Sequence, residues 1–220
     1  KKKQKKKKES TASEASVSEN KEVKYICLTL DDGPGIYTNR FLDLLEQYQA
    51  KATFFMIGEQ VGDFASAVRR EHDLGMEQGN HSWNHKTLTK LTADEVRWEI
   101  AATDDKIEEV TGARPKLFRP PGGGFNDFVL ENGQGHPFIL WSIDTEDWKT
   151  KDADATYNCV MTEARDGAVI LCHEIYEATL QAAERFIPDL IAEGYRFVTI
   201  SEMAELRGRS LEAGKKYNSF

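Results

Sequence analysis

Three cysteines, Cys27, Cys159 and Cys172, stand in 220 residues, and no two of them form a C-x-x-C pair. An odd, widely spaced set excludes a disulfide framework and a thiolate zinc knuckle. No stretch reaches the roughly 20 apolar residues that a membrane-crossing helix needs, and the opening residues carry no apolar signal core. The chain opens on Lys1 rather than Met, so an export signal or anchor upstream of it is the expectation. Surplus positive charge is also missing. Lys and Arg number 29 against 37 Asp and Glu, and removing the eight lysines and four glutamates of residues 1–22 leaves 21 and 33, about −12 for the remainder. An acidic body argues against nucleic-acid binding, whose affinity comes from neutralised phosphates. No feature of the sequence sets the oligomeric state.

Residues 1–22 lack aromatic side chains and hold Val17 as their one branched aliphatic residue, too little to offset the entropy of ordering. They are expected to be a flexible, Lys-rich linker, a solvated spacer more than a contact for anionic lipid or wall polymer. Residues 23–220 are long enough to bury one core and are expected to form one domain.

Within that domain, apolar runs alternate with amphipathic ones. Strands are expected over Tyr25–Leu30, Ala52–Ile57, Lys116–Phe118, Phe138–Ile143, Ala168–Cys172 and Arg196–Ile200. Helices are expected over Asn39–Ala50, within Glu59–Leu74, from a Thr92/Glu95 capping box to Val110, between Ala153 and Arg165, and between Glu177 and Glu193. Continuous apolar strands separated by helices imply an α/β fold whose mainly parallel sheet is covered on both faces, open or closed into a barrel.

Five short segments carry chemistry: T-L-D-D-G-P (29–34), H-S-W-N-H (81–85), R-P-P-G (119–122), D-T-E-D-W (144–148) and L-C-H (171–173). Four of them sit at or just past the C-terminal end of an expected strand, where loops of parallel folds converge on an active site. Asp31 and Asp32 would point to opposite faces of a regular strand, so both serve one site only where the backbone turns, here at Gly33-Pro34. His81 and His85 are four apart and can reach one divalent ion, with Asp32 as the third ligand. Two imidazoles and one carboxylate leave positions open for water and substrate, the arrangement of a catalytic ion. His72 and His136 match no such pattern and are expected in surface or packing roles. The three thiols are expected to remain free.

In order and spread, the five segments resemble the motifs of the polysaccharide deacetylases, carbohydrate esterase family four. The resemblance implies a distorted (β/α) barrel and a metal-dependent hydrolase that removes N-acetyl groups from N-acetylglucosamine of a polysaccharide, peptidoglycan first. It leaves open chitin oligomers, O-acetylated xylan, or a carbohydrate-binding relative without activity. It also implies an extracellular or cell-surface bacterial setting. Asp31 corresponds to the family's general base, and Asp32, His81 and His85 to its metal ligands. Arg119 corresponds to the arginine that contacts the base, and His173, partnered by Asp147, to the acid. Trp148 and Leu171 correspond to the apolar walls around the acetyl methyl. Gly122 stands where Tyr or Phe is usual, keeping a backbone N–H for the oxyanion while removing a cleft-wall side chain; Glu174 stands where Asp is usual. Zinc is the default ion, with cobalt, nickel and iron also suited to the donors.

Overall fold

Apolar runs with no polar alternation become parallel strands in this chain because helices cover one of their faces and a closed ring covers the other. The computed structural model describes residues 23–220, so the linker expected over residues 1–22 lies outside the described residues. In chain order the elements are β1 (Lys24–Gly33), α1 (Thr38–Gln47), β2 (Ala52–Met56), α2 (Gly58–Val61), α3 (Ala65–Asp73), β3 (Glu77–Asn80), α4 (Ala93–Thr111), α5 (Asp127–Glu131), β4 (Phe138–Ile139), β5 (Ile143–Asp144), α6 (Asp147–Thr150), α7 (Ala153–Glu163), β6 (Ala168–His173), α8 (Glu177–Ala192), β7 (Tyr195–Phe197), α9 (Ile200–Leu206) and β8 (Lys216–Tyr217).

The main sheet runs β3-β2-β1-β6-β5, and β7 adds to the start of β1. Every one of these pairings is parallel. Single bridges from Asn80 to Phe118 and from Phe118 to Phe138 carry the circuit on to β4, which leads along the chain into β5. The strands therefore close into a distorted (β/α) barrel.

Alternation along the strands sorts the core into two layers. Ile26, Leu28 and Leu30 face the helices with Phe54, Met56, Ile170, Phe186 and Leu190. Cys27 faces the barrel interior with Phe55, Val169 and Ile139, and Ile200 and Met203 of α9 pack into the same cluster. Continuing the interior parity, Thr29 pairs in register with Leu171 and Asp31 with His173, so the polar residues arrive at the C-terminal rim together.

The α4 start carries the expected capping box, with Thr92 accepting from the Glu95 N–H and Glu95 accepting in return, and Gly112 ends the helix in the left-handed conformation at φ 77°. The helix expected within Glu59–Leu74 forms as α3, with the short α2 before it. Three expectations are corrected. Lys116–Phe118 makes only bridges at Phe118 instead of a strand. The run Phe138–Ile143 breaks in two because its N–H groups change partners, Ile139 to Phe118, Leu140 to Tyr217, then Ser142 to Val169. The run Arg196–Ile200 ends early because Thr199, with Glu202 three residues on, caps α9. The thiols of Cys27, Cys159 and Cys172 are free, as expected.

Candidate active site

At the end of β1 the pairing with β2 skips a residue: Asp31 faces Phe55 and Gly33 faces Met56. Asp32 is the extra residue of this bulge and holds φ 68°, a left-handed conformation that Asp tolerates better than most side chains. The turn thus falls on Asp32 itself and not on Gly33-Pro34, and it swings the second carboxylate to the side of the first.

Asp32 Oδ1 lies 3.4 Å from His81 Nε2 and 3.3 Å from His85 Nε2. The three ligand atoms of Asp32, His81 and His85 all lie within 4.8 Å of one another. Ring nitrogen Nδ1 of His81 is 2.7 Å from the carbonyl oxygen of Arg119 and so carries the hydrogen it donates there, which leaves a lone pair on Nε2. That lone pair faces Asp32 Oδ1, a buried oxygen with no hydrogen-bond partner. Lone pairs meeting across such a gap repel unless a cation lies between them, so the donor set fits a divalent ion with open positions. Burial holds the His85 imidazole below its ordinary pKa against the pull of Asp32 and Asp31, favouring the neutral form that ligates metal.

Arg119 is fully buried, and four of its five N–H groups have an acceptor. Its Nη1 donates to Asp31 Oδ1 at 2.7 Å and to Thr29 Oγ1 at 2.7 Å, while Nε and Nη2 donate to the carbonyls of Ile139 and Leu140, each at 2.9 Å. The guanidinium also lies over the Phe55 ring. This fixes Asp31 so that Oδ2 stands 3.6 Å from His81 Nε2, beside the metal position.

Across the opening, His173 Nδ1 is 2.7 Å from Asp147 Oδ1. Asp147, buried at the start of α6, also accepts from the N–H groups of Trp148 and His173 and from the Thr179 hydroxyl. Burial opposes a charged His173, yet the hydrogen bond and attraction of Asp147, helped by Asp31 and Asp32, prevail and push its pKa up to about 9. At neutral pH this favours the protonated, charged ring.

Of the ten expected site residues, Asp31, Asp32, His81, His85, Gly122, Trp148, Leu171 and His173 line one cleft of about 390 Å³, with Arg119 and Asp147 bonded behind it. Trp148 is half exposed, whereas Leu171 is buried. Gly122 adopts φ 59°, and a Cβ built there would meet nothing within 4 Å. Trp141, Asp144 and Tyr176 complete the cleft. Trp141 and Tyr176 carry no motif that marks them in sequence. A larger depression, about 810 Å³, lies at the opposite end of the barrel beside Tyr25, Tyr195 and Leu206, far from these groups. His72 is exposed as expected. His136 is buried, with Nε2 2.8 Å from Asp104 Oδ2, and Asp104 Oδ1 in turn accepts from Asn80, the residue before His81. A packing role was among those expected, and its partner became legible only once α4 lay against β3.

Fold and site together define a (β/α)-barrel protein with a His₂Asp metal-type centre flanked by the carboxylate of Asp31 and the imidazole of His173. A family model described as polysaccharide deacetylase matches residues 18–138. The chain is 41% identical over 195 residues to the peptidoglycan-N-acetylmuramic acid deacetylase PdaC of Bacillus subtilis, covering 88% of this chain and 41% of that protein. It is equally 41% identical over 195 residues, with the same coverage, to the peptidoglycan-N-acetylglucosamine deacetylase PgdA of Listeria monocytogenes. The chain thus spans about two-fifths of the length of these curated relatives. Among solved structures, a family 4 acetyl xylan esterase from Clostridium thermocellum, in complex with a cobalt ion, superposes with a TM-score of 0.85 at 34% identity, covering 89% of this chain and 98% of that one. This chain belongs to the polysaccharide deacetylase family.

Proposed function

We propose that the domain is a divalent-metal-dependent deacetylase that removes N-acetyl groups from N-acetylglucosamine residues of peptidoglycan. The observation that carries this reading is the meeting of His81 Nε2, His85 Nε2 and the partnerless Asp32 Oδ1 between Asp31 on one side and His173 on the other. Zinc is the ion that best suits two imidazoles and a carboxylate with open positions, and cobalt, nickel or iron would also bind. When bound, the ion supplies Lewis acidity to the acetyl carbonyl and to the attacking water.

The protein's own groups do the rest. Asp31, held at Oδ1 by Arg119, takes the water's proton on Oδ2. Gly122 N–H donates to the oxygen on which negative charge develops. His173 Nε2 gives its proton to the departing sugar nitrogen, while Asp147 holds Nδ1–H and stabilises the charged ring. Leu171 and Trp148 flank the acetyl methyl from the cleft wall. Peptidoglycan as substrate is supported by the names of the two bacterial relatives, and it implies action at the cell surface. Among the described residues no helix is long and apolar enough to cross a membrane.

Removal of O-acetyl groups from xylan is the second reading, favoured by the fold-wide likeness to an acetyl xylan esterase. The test is acetate release by metal-loaded protein from peptidoglycan, chitin oligomers and acetylated xylan side by side, with Asp31→Asn as control. Peptidoglycan is expected to yield the most acetate, and Asp31→Asn to lose about 10²–10⁴-fold while still binding metal. Release from xylan alone would transfer the assignment to the esterase; release from none would leave a carbohydrate-binding domain.

A further inference from the structure

The two imidazole ligands sit on a segment without regular structure, and two of its residues hold left-handed backbone conformations, Ser82 at φ 67° and His85 at φ 59°. Neither is glycine, and such conformations persist only where surrounding contacts over-determine them. All five N–H groups of the segment have an acceptor. His81 donates to the Met56 carbonyl at 2.9 Å, Ser82 to Asn80 Oδ1 at 2.8 Å, and His85 to Ser82 Oγ at 3.2 Å. The two between the ligands, Trp83 and Asn84, both donate to a single oxygen, Glu99 Oε2 on α4, at 2.9 and 3.1 Å.

Glu99 is 1% exposed, and among the described residues its only salt bridge is to Lys86 Nζ, 3.3 Å from Oε1. It touches neither the metal position nor the cleft. The same helix holds the beginning of the segment, since Asn80 Nδ2 donates to the Ile100 carbonyl and to Asp104 Oδ1. The carbonyls of Ser82 and Trp83 accept from the Gly58 and Glu59 N–H groups at the start of α2, each at 3.0 Å, and His81 Nδ1 is tied to the Arg119 carbonyl, whereas both N–H groups between the ligands are held by one carboxylate oxygen of α4.

We propose that Glu99 is a positioning residue that sets the affinity of the site for its divalent ion by holding His85 in register with His81 and Asp32. This rests on the reading of Asp32, His81 and His85 as a metal site. Because both backbone bonds end on one oxygen, the function needs a reach of a given length more than a charge. Glu99→Gln retains an oxygen at that reach, whereas Glu99→Asp keeps the charge and withdraws it by one methylene.

The test measures Zn²⁺ dissociation constants for the full chain by competition with a chromogenic chelator, alongside melting temperature. Outer partners of metal ligands are typically worth about 10–100-fold in affinity, so Glu99→Ala and Glu99→Asp are expected to weaken binding by that much and Glu99→Gln by less than about threefold. Ile107→Ala, a core truncation on the same helix, serves as the control for general destabilisation and is expected to leave the constant unchanged. The proposal is overturned if Glu99→Asp binds as wild type while Glu99→Gln does not, which is the order a charge role gives, or if Ile107→Ala weakens binding as much as Glu99→Ala. Absence of Zn²⁺ binding by the wild-type chain would instead remove the metal reading itself, and this proposal with it.

Discussion

Replacing Asp147 by Asn tests the acid half of the site on a quantity that the geometry determines. The carboxylate accepts four hydrogen bonds, two on each oxygen, from His173 Nδ1, His173 N, Trp148 N and the Thr179 hydroxyl. Its interaction with the ring is the principal cause of a His173 pKa pushed up to about 9 against burial. Asn leaves burial without its main opponent, so the pKa falls to about the ordinary 6.5 or lower. A general acid acts in its protonated form, so activity falls as pH rises through that value. With limbs at about 9 and 6.5, the protonated fractions at pH 7.5 are roughly 97% and 9%, an elevenfold deficit; at pH 6 the deficit is only about 1.3-fold. A cation in the neighbouring site lowers both limbs together, so their separation is the observable. The assay is the pH–rate profile of acetate release by the two proteins with the same metal. Linkage gives an independent reading: a His raised in the folded state contributes stability that is complete below about pH 6.5 and lost as pH rises through about 9, and Asn removes that slope. Asn also turns an NH₂ toward two donors, costing about 1–3 kcal/mol of stability at all pH values. An alkaline limb unmoved by the substitution would refute His173 as the acid.

Other outcomes follow from the same coordinates. Arg119→Lys cannot reach Asp31, Thr29 and the Ile139 and Leu140 carbonyls at once, and the buried groups left unpaired are expected to lower stability by about 2–5 kcal/mol in denaturant titration. Chelation of the metal is expected to abolish acetate release and, relative to protein with the ion at 100 times its dissociation constant, to cost about 2.7 kcal/mol, roughly 5–11 °C in melting temperature for a domain of this size. Gly122→Ala meets no atom but must hold φ 59°, so it is expected to cost about 1–2 kcal/mol in unfolding free energy without closing the cleft.

The amino-acid order alone determined the class of fold and marked the groups that meet at the site. Apolar runs without polar alternation mean strands buried on both faces, and the Thr92 capping box marks a helix start through contacts only three residues apart; both are local physics. The ligand triad was legible for a related reason: His81 and His85 are near neighbours in the chain, and Asp31-Asp32-Gly33-Pro34 can serve one centre only if the backbone turns. The tertiary structure decided where it turns, because the bulge at Asp32 exists only against the register of β2. It also set Asp31 opposite His173, residues 142 positions apart that become neighbours through the parallel pairing of β1 with β6. The ring closure through Phe118, the burial of His136 against Asp104, and the grip of Glu99 on the histidine segment were illegible for the same cause. Each depends on which surfaces meet once helices cover the barrel, and a hydrogen bond between distant residues leaves no periodicity in the chain that forms it.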